Sequence, residues 1–341
     1  MRAMALTSFA RGADGLLFFR WRTARVGAEM HWYGILDHDD VPRRRYRELA
    51  ELGRDVAAIE GDLLGTHVRV DAAIAGTDYR ARSIEKTMPI GLPGVDAAGD
   101  IVHGRLLRAG IAVGFVNPAD DLDAVRLLVV PHWEYLDPDL VPRLTAWVEA
   151  GGVLVLSARC GTRDQHGRML AEPRPGPWRA LAGITVEEFG RHNRPERAPV
   201  LDLGGTPLAA QHWSELLAPA SGTDVVAAWR DGWRAGQAAI TRRSRGRGQV
   251  WYIGAWLTED VWVALQPRLL AAAAVTPLVA DPPADVIVSQ RVAADRRLTF
   301  AVNHAARSAR VMLPAGTDLL SGAAVAGACD LPPWGAVVIR H

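Results

Sequence analysis

The chain of 341 residues carries 39 basic and 38 acidic side chains, a balance that offers no field to draw nucleic acid or an anionic membrane surface. Its length suffices for two or three domains with cores of their own, and a composition 49% apolar and 23% charged is that of a globular protein. No run nears the roughly twenty apolar residues of a membrane span, and two cysteines, Cys160 and Cys329, make no disulfide framework, so the expected compartment is the reducing cytoplasm.

The opening MRAMALTSFARG reads as an amphipathic helix; Arg11 and Asp14 interrupt its apolar stretch before it reaches the length of a secretory leader. GLLFFRW, Gly15 to Trp21, is expected to be a strand buried on both faces of a parallel sheet. Tyr46, Leu49, Leu52, Val56, Ile59 and Leu63 then recur at helical spacing. One strand and one helix cannot cover themselves. Residues 1 to about 60 are therefore expected to expose apolar faces, and to exchange amide protons quickly or dock abnormally on the middle of the chain.

VRVDAAIAG, from about Val68, predicts a strand, followed by a loop-rich stretch from Lys86 to Gly94, a helix near Ala97 to Ala109 and the strand IAVGFV at 111–116. The strand RLLVVP, a helix capped by Asp137 with Pro138 at its first position, a stop at Gly151 and Gly152, and the strand VLVL together predict a right-handed βαβ crossover. AAITRRSRGRGQVWYIG reads as a hairpin turning at Ser244 to Gly248, with a helix near Glu259 to Ala273 behind it. Beyond Pro277, DVIVSQRVA, RRLTFAVNH, ARVMLP and WGAVVIRH alternate like strands of a small antiparallel domain.

Candidate chemistry is sparse. Glu29 and His31, with Trp32 and Tyr33, follow the carboxyl end of the first expected strand, where α/β folds bind ligands. A carboxylate and an imidazole there suit sugar hydroxyls while a ring stacks on a sugar face; aromatic residues that merely plug a core account for the same letters. The abundance of tryptophan, 12 against 6 Phe and 5 Tyr, suits a sugar cleft and equally a GC-rich genome. Glycoside hydrolysis needs two convergent carboxylates, and Glu48, Glu51 and Glu60 lie on the helix as its solvated side. Cys160, with His132 or His166 as base, would make a thiol amidotransferase, but Ala158 and Arg159 before it and a loop behind it make a poor nucleophile elbow. Arg242, Arg243, Arg245 and Arg247 read as a solvated hairpin tip. His31, Asp37 and His38 lack the shared geometry of a metal site. No phosphate loop, dinucleotide fingerprint, HExxH or CxxC occurs, so neither cofactor nor metal is expected.

ARGADGLLFFRWRTARVGAEMHWYGILDHD resembles the last barrel strand and following loop of glycoside hydrolase family 42, the prokaryotic β-galactosidases. The likeness runs on through HVRVDAAIA, LLRAGIAVGFVNPADDLDAVRLLVVP, WVEAGGVLVLSARCGTRDQHGRML, GPWRALAGITVEEF and GQVWYIG to FAVNH and LPPWGAVVIRH. It implies an α/β fold: the remnant of a (β/α)8 barrel at 1–65, a class I glutamine amidotransferase-like, flavodoxin-like domain at 66–279 that assembles a trimer, and a small antiparallel β domain at 280–341. It further implies that Met1 matches an internal methionine, and that the acid/base and nucleophilic glutamates of these retaining enzymes, after the fourth and seventh barrel strands, lie upstream. No residue of this chain is thus expected to be catalytic. Glu29 matches the glutamate of the family's GAExxH-like motif, which binds galactose hydroxyls. Trp21 stands in the FRWR stretch as a wall of that site. Trp32 occupies the family's histidine position, and His31 lies one place earlier. The run DYRARSIEKTMPIGLPG stands where the family has an aromatic and acidic run, so the resemblance leaves open whether the trimer contact is kept. The expected protein is a truncated β-galactosidase, inactive alone; a split enzyme, or a galactoside-binding or assembly module that takes a galactoside sugar without cleaving it, are the alternatives.

Overall fold

The computed structural model describes residues 1–76, 79–87 and 91–341. Residues 88–90 of the expected 86–94 loop, and 78 and 88–90 of the run replacing the family's aromatic segment, lie outside the described residues.

Two helices, α1 (Arg2–Ala10) and α2 (Arg44–Leu63), precede the short strand β1 (His67–Val68). There follow β2 (Ala72–Ala75), α3 (Tyr79–Thr87), α4 (Val95–Arg108), β3 (Val113–Val116), β4 (Leu127–Val130), α5 (Leu140–Glu149) and β5 (Val153–Ser157). After α6 (Arg179–Ala182) come β6 (Ile184–His192), β7 (Val200–Leu203), β8 (Thr206–Ala209), β9 (His212–Pro219), β10 (Thr223–Trp229), β11 (Ala238–Arg245) and β12 (Gly248–Ile253). Helix α7 (Glu259–Ala272) leads to β13 (Val286–Val292), β14 (Arg297–Asn303), β15 (Ala309–Asp318), β16 (Ala324–Leu331) and β17 (Ala336–Arg340).

Contacts divide the chain into two compact units. The first comprises Met1–Arg69, Leu107–Ala112 and Pro277–His341. Its sheet runs β1-β13-β14-β17-β15-β16, with neighbouring strands antiparallel. One face meets the helices: Leu6 and Phe9 of α1 and Ile59 and Leu63 of α2 share a core with Leu298, Phe300, Val302 and Val338. The apolar faces of the two helices, expected to be bare, are therefore covered by the carboxyl-terminal sheet. Arg291 fixes this arrangement. Its guanidinium, 1% exposed, donates to the carbonyls of Phe9, Ala13 and Thr66, to Thr66 Oγ1 and to Asp14 Oδ1. A buried cation is tolerable only when its donors are satisfied in this way.

The segment Gly15 to Trp21 is not a strand. No strand among the described residues lies beside it, and a parallel strand without neighbours leaves its backbone donors and acceptors unpaired. Leu17, Phe19 and Trp21 are 98%, 67% and 60% exposed as a result. VRVDAAIAG is likewise two strands rather than one. The chain turns at Asp71, so that β1 pairs with β13, while β2 enters the other sheet and the Asp71 carbonyl accepts from Arg126 and Leu127.

The second unit comprises Val70–Leu106 and Val113–Thr276. Strands β3-β2-β4-β5-β12 are mutually parallel, the flavodoxin-like order, and β12 passes the sheet on to β11, β10, β7 and β8, with β6 and β9 joined at β11. The expected crossover from β4 through α5 to β5 forms, and the β11–β12 hairpin closes over Gly246 and Arg247. Asp137 lies one turn outside α5: its carboxylate accepts from the Asp139 amide, and Asp139 holds the cap position.

Candidate functional site

The loop between α1 and α2 carries the residues expected to meet a sugar. Two extended arms, 20–23 and 34–36, lie side by side through a parallel bridge between Arg22 and Leu36. The amides of Ile35, Leu36 and Thr23 donate to the carbonyls of Arg20, Trp21 and Leu36 at 2.9, 2.8 and 3.1 Å. Gly34 makes the approach possible, since a Cβ there would stand 2.4 Å from the Thr23 nitrogen. At the tip the chain turns over 28–31, closed by the Trp32 amide on the Glu29 carbonyl at 3.0 Å.

Glu29 projects from that turn onto Arg20, 2.6 Å away, with its side chain still 45% exposed. The Arg20 guanidinium also lies over the Phe19 ring, 4.9 Å from the centroid. Trp21 meets Tyr46 of α2 edge-on at 6.0 Å. His31 is exposed, and Trp32 is 62% exposed. The structure thus places Glu29, His31 and Trp32 on one turn and Trp21 on the arm leading to it, and joins Glu29 to Arg20, a partner the sequence reading did not name. Nearby, His38 contacts the Met30 carbonyl and Asp37, and Arg43 chelates Asp39 in two contacts of 2.6 and 2.7 Å that hold this carboxyl well below its usual range. Among the described residues no cluster of three His, Cys, Asp or Glu suits a metal ion.

The carboxyl edge of the parallel sheet in the second unit is chemically denser. Cys160 is fully buried, donates to the Val130 carbonyl at 3.3 Å, and burial pushes its thiol up to about 12. His132 stacks on Trp256 at 3.9 Å, with Nδ1 on the Ala158 carbonyl and Nε2 accepting from the Leu257 amide. Its burial lowers the imidazole to about 3. His166 sits on the tip of an exposed hairpin. A protonated thiol bonded to a carbonyl, and an imidazole whose two nitrogens are both engaged, do not make an activated nucleophile–base pair.

Behind them lies a buried charge network. Glu134 meets Arg159 at 2.9 Å and Arg163 at 2.7 Å, and Glu85 of α3 meets Arg159 at 3.5 Å. These contacts are close but poorly directed, for Arg159 Nη2 and Arg163 Nε have no well-angled acceptor. Burial raises Glu85 to about 7, against the pull of Arg159. Glu215 is completely buried, raised by desolvation, and accepts from Tyr252, Trp213 and the Arg159 amide. Sequence reasoning missed all of these; the only signal was charge directly after an apolar strand, as in VVPHWE and VLSAR.

Parallel strands in flavodoxin-like order with a long antiparallel extension, joined in one chain to a separate antiparallel sheet and two amino-terminal helices, define a mixed α/β protein. The model of the β-galactosidase trimerisation domain matches residues 101–276, and that of the family 42 β-galactosidase matches residues 1–59. The chain belongs to glycoside hydrolase family 42. It is 30% identical to β-galactosidase BgaH of Haloferax lucentense over 97% of its length, and 48% of that protein is covered. The structure of a β-galactosidase from Bacillus circulans sp. alkalophilus superposes with a TM-score of 0.91 at 22% identity, covering 100% of this chain and 51% of that one. The β-galactosidase of the Antarctic haloarchaeon Halorubrum lacusprofundi gives 0.84 at 27% identity, covering 100% and 49%. The chain spans about half the length of the curated relatives it matches, and among the described residues no closed barrel forms.

Proposed function

We propose that the chain is the carboxyl-terminal half of a retaining β-galactosidase that hydrolyses terminal β-D-galactosides in carbohydrate metabolism. The trimerisation-domain match over 101–276 carries this reading. The division of labour is 1–65 as the end of a catalytic barrel, 66–279 as the domain that assembles a homotrimer, and 280–341 as a stabilising β domain. In the complete site the Glu29 carboxylate accepts from galactose hydroxyls, oriented by Arg20, while Trp21 and Trp32 wall the sugar and His31 lies at the rim. Two free cysteines suit a reducing cytoplasm, and no helix of the described residues is long and apolar enough to cross a membrane.

The chain by itself is inactive on this reading. Retaining hydrolysis needs a proton donor and a nucleophile about 5–5.5 Å apart, and Glu29, bound to Arg20 on a half-exposed turn, has no second carboxylate assigned to face it. Purified protein incubated with a nitrophenyl β-galactoside is expected to release no nitrophenol above background. Turnover at an ordinary enzyme rate would refute the assignment. Turnover only when a polypeptide carrying the remaining barrel is added would establish a split enzyme.

A further inference from the structure

The first three parallel strands of the second unit leave a cleft that the sugar-site reading does not use. The chain runs from β2 outward to β3, then returns across β2 to β4. The loops leaving the carboxyl ends of β2 and β4 therefore diverge, and in open parallel sheets the crevice at such a reversal is where ligands bind. Here it is a cleft of about 460 Å³, within the range of small-molecule sites.

Its lining is specific. Gly76, directly after β2, forms part of the floor and must be glycine, because a Cβ would stand 2.4 Å from Phe115 Cδ1. Phe115, on edge strand β3, remains 45% exposed although His103 of α4 stacks on it at 4.9 Å. Such exposure is costly for a phenyl ring placed for packing alone. Arg82 of α3 and Asp96 of α4 join at 2.8 Å across the cleft, and Asp100 stands one turn further along α4. Trp133, nearly buried, completes the wall.

We propose that this cleft binds a neutral polyhydroxylated ring, a sugar of mono- or disaccharide size. Carboxylates accept strongly from hydroxyls, a guanidinium donates to ring and hydroxyl oxygens, and an exposed phenyl ring receives the apolar face of a pyranose. Two carboxylates against one guanidinium disfavour an anion, and among the described residues no donor cluster suits a metal. The proposal stands apart from the hydrolase reading, since sugar is held here whether or not it is cleaved elsewhere.

Saturation-transfer NMR and calorimetry with D-galactose and lactose on the 341-residue chain test it. Transfer is expected from the wild-type protein. Phe115→Ala is expected to weaken binding about tenfold, the upper worth of one ring contact, and Asp100→Asn, an isosteric change at an exposed position, severalfold with unaltered melting. No transfer from the wild-type chain would overturn the proposal. So would binding undiminished in both cleft variants, an outcome that leaves the Glu29 turn as the seat of the sugar, or displacement of the sugar by inorganic phosphate.

Discussion

At the residue scale the buried charges of the second unit set the pH response. Glu85 is raised to about 7 from an ordinary 4.5, first by burial, with Glu134 adding repulsion and Arg159 and Arg163 opposing. A carboxyl whose folded pKa lies above its unfolded one binds its proton more tightly in the native state. Its contribution is therefore fully present below about pH 4.5 and is lost as pH rises through about 7. Glu134 holds Arg159 at 2.9 Å and Arg163 at 2.7 Å, and its own charge adds to the burial that opposes ionisation of Glu85. Glu85→Gln keeps the shape and removes the ionisation. Thermal melting should show the variant close to wild type at pH 5 and more stable at pH 8, by on the order of 1–3 kcal/mol. A variant equally destabilised at both values would mean that the Arg159 pairing outweighs desolvation.

At the scale of elements, covering decides stability. Helices α1 and α2 bury Leu6, Phe9, Ile59 and Leu63 on the carboxyl-terminal sheet, and Arg291 ties the end of α1 to β13. The arm and turn from Leu17 to Tyr33 bury little. Hydrogen exchange read by mass spectrometry should divide the amino-terminal segment accordingly, with peptides of α1 and the second half of α2 protected like those of β14 and peptides of 15–33 exchanging within seconds. Uniformly fast exchange over 1–63 would deny the helices their place on the sheet. This division was only half legible in the sequence. Helices with long apolar periods and strands such as LLVV, bounded by glycine and proline, announce themselves through local pattern. GLLFFRW has an equally strong strand pattern, but a strand exists only by pairing, and pairing is not local. The converse error is β16, AVAGACDL, whose small residues carry weak strand propensity; it forms because β15 pairs with it antiparallel from Ala309–Leu331 to Thr317–Ala324, with one bulge between Leu313 and Gly316. Strands β6 to β10 escaped notice similarly, being polar on alternate positions and broken by turns. Glu29 was legible as a loop carboxylate after an aromatic run. Its partner Arg20 was not, since nine residues and a turn separate them.

At the scale of the whole molecule, assembly and catalysis are separable properties. The trimerisation-domain match lies within 101–276, where the parallel sheet has a continuous core through Leu128, Val130, Leu154, Leu156, Val250 and Tyr252. That core draws nothing from the loop bearing Glu29. A domain that buries its own apolar residues folds by itself. Light scattering on the purified chain should therefore give a mass near three times 36.9 kDa, and the value should be unchanged in a variant whose exposed aromatic residues Phe19, Trp21 and Trp32 are replaced by serine. The same variant should bind less of a hydrophobic dye, because those rings, 60–67% exposed, make up much of the apolar surface near the turn. A trimer that dissociates on this substitution would place the contact in the amino-terminal loop. A monomer in both forms would show that the departure from the family pattern at DYRARSIEKTMPIGLPG has cost the chain its assembly.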